Sequence, residues 1–129
     1  MTTTGKYILQ AATTIAKTTA TAVGKEINVK EYEYLTLYIG YVNGDETGCN
    51  LYVYEENEKG GTDYQDITWS DASGTITGQV NTVYLGTASV SRHIVYDVRK
   101  INYIVVKQGG SANDGTPTGT LAVDYTLTR

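Results

Sequence analysis

His93 is the only imidazole in the chain and sits in Ser91-Arg92-His93-Ile94. Nucleophilic catalysis needs a base held beside its nucleophile. This stretch reads as a strand, in which neighbouring residues point to opposite faces. With Ile94 on the apolar side, His93 is expected to be satisfied locally or to face solvent. Paired carboxylates are more numerous: Glu31 and Glu33, Asp45 and Glu46, and Glu55, Glu56 and Glu58. Glycoside hydrolysis needs two carboxyl groups at a fixed separation across a cleft, and acids scattered over loops do not define one. Acidic loops such as Asn43-Gly44-Asp45-Glu46 or Asn113-Asp114 have the oxygen donors calcium uses, but lack the spacing of the twelve-residue helix-loop-helix site. No cofactor is expected.

Three further groups are candidates for binding. Arg92, Arg99 and Lys100 are the one basic concentration, suited to a carboxylate, a phosphate or an acidic subunit surface. Twelve Tyr and no Phe suit half-buried sheet faces, because a phenol packs its ring while its hydroxyl keeps a polar partner. Trp69 with Tyr52, Tyr54 and Tyr64 could form a flat platform for sugar rings; ordinary sheet packing is the plainer alternative. Cys49 stands alone, so no intrachain disulfide forms, and His93 and Cys49 cannot hold zinc between them. Cys49 therefore reads as a small buried apolar residue. No glycine cluster opens a helix after a strand, which removes a phosphate-cradling loop. Gly40, inside a strand, marks a bulge, a close backbone approach or a bend.

The elements that must position these groups are strands. Thr, Val, Ile, Tyr and Trp number 21, 12, 9, 12 and 1, a strongly β-forming composition. Leu35, Leu37, Ile39 and Tyr41 alternate with Tyr34, Thr36, Tyr38 and Val42, and Cys49, Leu51 and Val53 alternate with Tyr52 and Tyr54. With the turn residues 43–48 between them, the two runs read as a hairpin. Further strands are expected around Tyr64–Trp69, Thr75–Thr77, Val80–Leu85, Val90–Val98 and Ile101–Lys107. Leu121, Val123, Tyr125 and Leu127 alternate to the end of the chain, placing an ordered C-terminus inside a sheet. Thr-Thr pairs argue against a helix in the Ala-rich start. Residues 1–23 are instead expected as an extended arm or weak edge strand anchored by Tyr7 and Leu9, preceding a domain spanning 24–129. Seven to nine short antiparallel strands predict a β-sandwich of jelly-roll type.

Charge and length bound the rest. The chain has 129 residues and a net charge of −4, enough for one domain and unfavourable for a nucleic-acid binder. Residues 31–71 hold ten acids against Lys59, a net of −9, while the remainder is +5. That asymmetry suggests opposed surfaces able to set subunit contacts. No apolar run approaches the roughly 20 residues of a membrane helix, and the start lacks the pattern of a signal peptide, so synthesis in a cytoplasm is expected.

The Thr/Ala-rich start Met1-Thr-Thr-Thr-Gly-Lys6, the pair Tyr34–Val42 and Leu51–Glu55, and the ending Ile101–Val106 with Gly119–Arg129 together resemble the small all-β virion proteins of tailed bacteriophages, in particular head decoration or cement proteins. The resemblance implies a non-enzymatic, trimeric subunit on the capsid surface that binds the major capsid protein or another virion protein. Tyr7, Leu9, Ile15, Arg92, Arg99 and Lys100 are the contact candidates under that reading. The competing expectation is a carbohydrate- or receptor-binding sandwich, as in a tail or fibre domain, built on Trp69 and the three tyrosines.

Overall fold

A computed structural model of the chain describes residues 1–16, 21–70, 76–110 and 117–129, with backbone alone for 68–70, 76–78 and 110. Its strands are β1 (Tyr7–Thr14), β2 (Thr21–Ala22), β3 (Ile27–Asn28), β4 (Tyr34–Val42), β5 (Cys49–Glu56), β6 (Gln65–Asp66), β7 (Thr68–Ser70), β8 (Ile76–Gly78), β9 (Thr82–Tyr84), β10 (Val90–Asp97), β11 (Tyr103–Gly110) and β12 (Thr120–Thr128). One sheet runs β1-β12-β4-β10, and a second runs β2-β11-β5-β6, with β3 also on β11 and β9 also on β5. All the pairings are antiparallel, and β7 with β8 forms a separate ribbon. No helix occurs among the described residues. The chain is all-β and sandwich-like.

The alternation expected of the long strands fixes their faces. Leu35, Leu37, Ile39 and Tyr41 of β4, Leu121, Val123 and Leu127 of β12, and Cys49, Leu51 and Val53 of β5 join one buried cluster with Ile104 and Val106 of β11. Each such aliphatic side chain contributes about 1.5–3 kcal/mol by leaving water. Tyr34, Tyr38, Tyr52 and Tyr54 lie on the opposite, half-buried faces.

Two expectations change. β4 and β5 do not form a hairpin: β4 pairs with β10 and β12, and β5 with β11, β6 and β9. Residues 43–48 instead carry the chain from one sheet to the other, because both strands are apolar on the side that faces the shared core. The second concerns residues 1–23. The expected edge strand is there, Tyr7–Thr14 on β12 with Leu9 packed against the core, but the segment is held further: Thr2 and Arg129 exchange backbone hydrogen bonds of 3.2 and 2.9 Å, and Ile15 and Val23 lie in the core. The 23/24 boundary falls inside one packed unit rather than between an arm and a domain. The C-terminal strand lies in the sheet interior, between β1 and β4.

Candidate functional site

Glu46 is 7% exposed and carries a carboxylate bonded at both oxygens. One carboxylate oxygen, Oε2, accepts from Tyr41 Oη at 2.8 Å, Asn43 Nδ2 at 3.1 Å and the Gly44 amide at 2.6 Å. The other, Oε1, accepts the Gly119 amide at 2.6 Å. Burial raises the pKa of Glu46, but these donors outweigh it and hold the carboxyl below its ordinary value. The same burial pushes the Tyr41 phenol up to about 12 and the Cys49 thiol up to about 11, with Glu46 adding to both. A Cβ on Gly119 would stand 2.6 Å from both Glu46 oxygens, so glycine is what lets the backbone reach the carboxylate. The loop offered as a calcium ligand thus uses its buried carboxylate to tie 43–48 to 117–119, with N–H and O–H donors where a cation would sit. Asn113 and Asp114 lie outside the described residues. Among the described residues no group of three or more His, Cys, Asp or Glu side chains is placed to hold a metal.

The aromatic candidates come together in part. On the outer face of the second sheet the rings of Tyr52 and Tyr54 stack at 6.5 Å and 20°, and Tyr54 meets Tyr64 at 5.9 Å. Lys107 places Nζ 4.0 Å from the Tyr64 ring centroid and 5.9 Å from that of Tyr54, over those two rings. Trp69 is in β7, and its side chain lies outside the described residues.

The contact candidates divide. Ile15 is 4% exposed and belongs to the core, so it is not a surface contact; its β-branched chain is covered by the edge it helps to close. Leu9 is half-buried and packs against the same core, while Tyr7 is 48% exposed and meets the Tyr125 ring at 5.3 Å. Arg92 is exposed on the open edge strand β10. Arg99 is held by Asp97 through Nε at 3.0 and 3.1 Å and through its terminal nitrogen. That hydrogen bonding lowers the Asp97 pKa and raises that of Arg99. Lys100 is exposed in the turn that follows, at φ 70°.

The two charge blocks read along the chain are interleaved in space. Arg99 feels Glu33 electrostatically, Arg129 lies 3.8 Å from Glu31, and Glu46 and Glu56 are buried. The expectation of two opposed charged surfaces is therefore narrowed: Glu31 and Glu33 stand beside bases of the other block, and Glu46 and Glu56 are withdrawn from the surface. One buried oxygen, Glu56 Oε2, has no hydrogen-bond partner, while Oε1 accepts the Asn57 amide at 3.0 Å.

A hollow of about 330 Å³ opens on the outer face of the first sheet, lined by Lys6, Tyr38, Gly40, Arg92, His93 and Asp124 among others. His93 is exposed, and its ring lies 6.1 Å from that of Tyr38. No side-chain hydrogen bond joins it to Ser91 or Asp124 among the described residues. Of this group the sequence singles out His93 as the lone imidazole and Arg92 as a contact candidate, the latter standing opposite the core residue Ile39 in the strand register. The mid-strand Gly40 was a signal of the rest, but pairing it with β12 required the register. Among the described residues no helix is long and apolar enough to cross a membrane. The chain matches no model of a known protein family and no curated protein sequence.

Proposed function

We propose that the chain is a non-enzymatic structural subunit of a virus particle, of the head-decoration or cement type of tailed bacteriophages, folded as a jelly roll. The observation that carries this reading is the strand order. β2 and β3 follow one another along β11, and β6 and β9 along β5, so the two main sheets reduce to four strands each. The first strand lies beside the last, and the long strands β4, β5, β10, β11 and β12 alternate between sheets except where β5 is followed by β6 and β9 in its own. That order supports a reading as two nested Greek keys, used by viral capsid domains and also by lectins and cupins. Fold alone does not assign function, so the surface has to support the rest.

The two edges of the first sheet differ. β1 carries two register shifts, the irregularity that blunts an edge, whereas β10 keeps unbroken register with β4 over eight residues, Val90 to Asp97. No strand pairs with its other side among the described residues, and the Gln79 side chain caps it at Asp97, accepting the Asp97 amide at 2.8 Å and donating to the Asp97 carbonyl at 2.7 Å. A long regular edge invites pairing with another chain, and Val95 on it is 56% exposed. We place the subunit or capsid contact there, with Arg92 on the edge and Lys100 beyond its end. A symmetric oligomer bridging capsid subunits adds its binding free energy to the assembled state alone.

Light scattering on the purified chain at low and moderate salt tests the assembly. A mass near three times the 14.0 kDa of the chain is expected, and a monomer at both salts contradicts it. The second reading, a carbohydrate- or receptor-binding module, is favoured by the contiguous rings of Tyr52, Tyr54 and Tyr64. Tyr54→Ala with Tyr64→Ala abolishes glycan retention under that reading and leaves the oligomer intact under the first.

A further inference from the structure

The free side of β10 can be read peptide by peptide. In an antiparallel pair, successive residues turn their N–H and C=O alternately towards the partner strand and away from it. Just past β10, the Val98 amide donates to the Glu33 carbonyl at 2.9 Å, on the β4 side. Asp97 therefore points the other way, and the Gln79 side chain meets it there: its oxygen accepts the Asp97 amide and its nitrogen donates to the Asp97 carbonyl. One primary amide thus stands where the first peptide group of a further strand would be. Counting back by twos, Ser91, His93 and Val95 direct their peptide groups to the same open side. All three are exposed, and none has a backbone partner there among the described residues.

The side chains along the edge select what joins it. Arg92, Ile94 and Tyr96 stand opposite the core residues Ile39, Leu37 and Leu35, so they face the inner side of the sheet. Ile94 packs against the core, whereas Arg92 is exposed, acts electrostatically on the Tyr96 phenol and makes no ion pair among the described residues. Because the peptide groups of Arg92 and Ile94 point at β4, an added strand would meet these side chains at non-hydrogen-bonded positions, where opposing side chains come closest. An acid opposite Arg92 and an aliphatic residue opposite Ile94 complement them. On the outer face a second aliphatic residue would cover Val95, which is 56% exposed. A second copy of β10 is the poorer partner. The antiparallel registers that pair His93 within β10 and leave Asp97 to Gln79 set Arg92 against Arg92, like charge facing like, or against Ile94 of the other copy, which offers no counter-charge.

We propose that the open edge of β10, from Ser91 to Val95, takes up an extended acidic segment of a partner protein as an added antiparallel strand, aliphatic opposite Ile94 and acidic opposite Arg92. The inference rests on the placing of the intermolecular contact at this edge, and it assigns that contact to a different protein rather than to a second copy. The test is amide NMR titration of the full chain with the end-blocked hexapeptide Val-Val-Thr-Glu-Thr-Thr, whose residues fall in turn opposite Val95 down to Val90. Saturable binding in the millimolar range is expected, moving the amides of Ser91, His93 and Val95 more than those of Arg92 and Ile94, which already bond to β4. Exchanging the Glu of the peptide for Lys should weaken it at least about threefold, and Arg92→Glu should reverse that preference. Val95→Pro removes an N–H that no strand of the fold uses, so it should keep the dispersed strand spectrum and abolish binding. The charge reversal at the exposed Arg92 keeps the test decisive should Val95→Pro misfold. No saturable shift, equal shifts at both sets of amides, equal binding of the Lys peptide, or binding that survives in a folded Val95→Pro chain would each overturn the proposal. Head binding that persists while the peptide fails would overturn it and leave the decoration reading standing; peptide binding without head binding would do the reverse.

Discussion

Replacing Glu46 by Gln keeps the shape of the side chain and exchanges one acceptor oxygen for an NH2 donor. Whichever way the amide is turned, that donor meets another: the Gly119 N–H at the Oε1 position, or the Gly44 N–H and the Tyr41 and Asn43 donors at Oε2. A hydrogen bond to a charged group is worth about 1.5–3 kcal/mol net, and a buried donor left without a partner costs about 1–3 kcal/mol more. We therefore expect Glu46→Gln to cost about 2–4 kcal/mol in urea unfolding near neutral pH, with the m-value unchanged. The pH dependence carries a sign. The folded carboxyl titrates below its ordinary value of 4.5, so its contribution is fully present above that pH and is lost as the pH falls through the folded pKa. The gap between wild type and Glu46→Gln should accordingly narrow on acidification below 4.5. A cost under about 0.5 kcal/mol, or a gap that stays constant through the acid range, would refute the reasoning.

Other outcomes follow from the same geometry. Gly119→Ala drives a methyl to 2.6 Å from the Glu46 oxygens and should destabilise by at least about 2 kcal/mol, read from the same unfolding curves. Cys49 is fully buried with its thiol pushed up to about 11; it should ignore a thiol reagent at mildly alkaline pH in the native protein and react at once in denaturant. Deleting residues 1–23 removes β1 together with Ile15 and Val23 from the core. Large-to-small changes at such sites cost about 2–5 kcal/mol each, so the truncated chain should lose its cooperative thermal transition. Tyr96→Phe gives up the 3.0 Å bond from its hydroxyl to the Val80 carbonyl and should cost about 1 kcal/mol in the same assay.

Strand positions and faces were legible because alternation at period 2 is a local property. Leu35, Leu37, Ile39 and Tyr41 had to share a side whatever they packed against, and they do. Pairing is not local. The alternation of β4 and β5 with a turn between them is equally consistent with a hairpin and with a crossing between sheets. What distinguishes the two is the Glu46 carboxylate meeting Gly119, a residue 73 positions away. The Thr and Ala content of the N-terminal segment points to an extended arm or weak edge strand anchored by Tyr7 and Leu9; the edge strand and the Leu9 contact are there, and the single aliphatic residues Ile15 and Val23 anchor it more deeply. For the same reason the meeting of Asp124 and Lys6 at one hollow was not legible. Their approach to Gly40 depends on β12 lying beside β4, which no spacing in the chain encodes.

The central claim is that this sandwich-like subunit decorates an assembled head. The most direct measurement is co-sedimentation of the purified chain with intact and with disassembled tailed-phage heads. The account predicts saturable pelleting with intact heads, at a stoichiometry fixed by their symmetry axes, and no binding to free capsid subunits. Equal binding to free subunits, or none to intact heads, would contradict it.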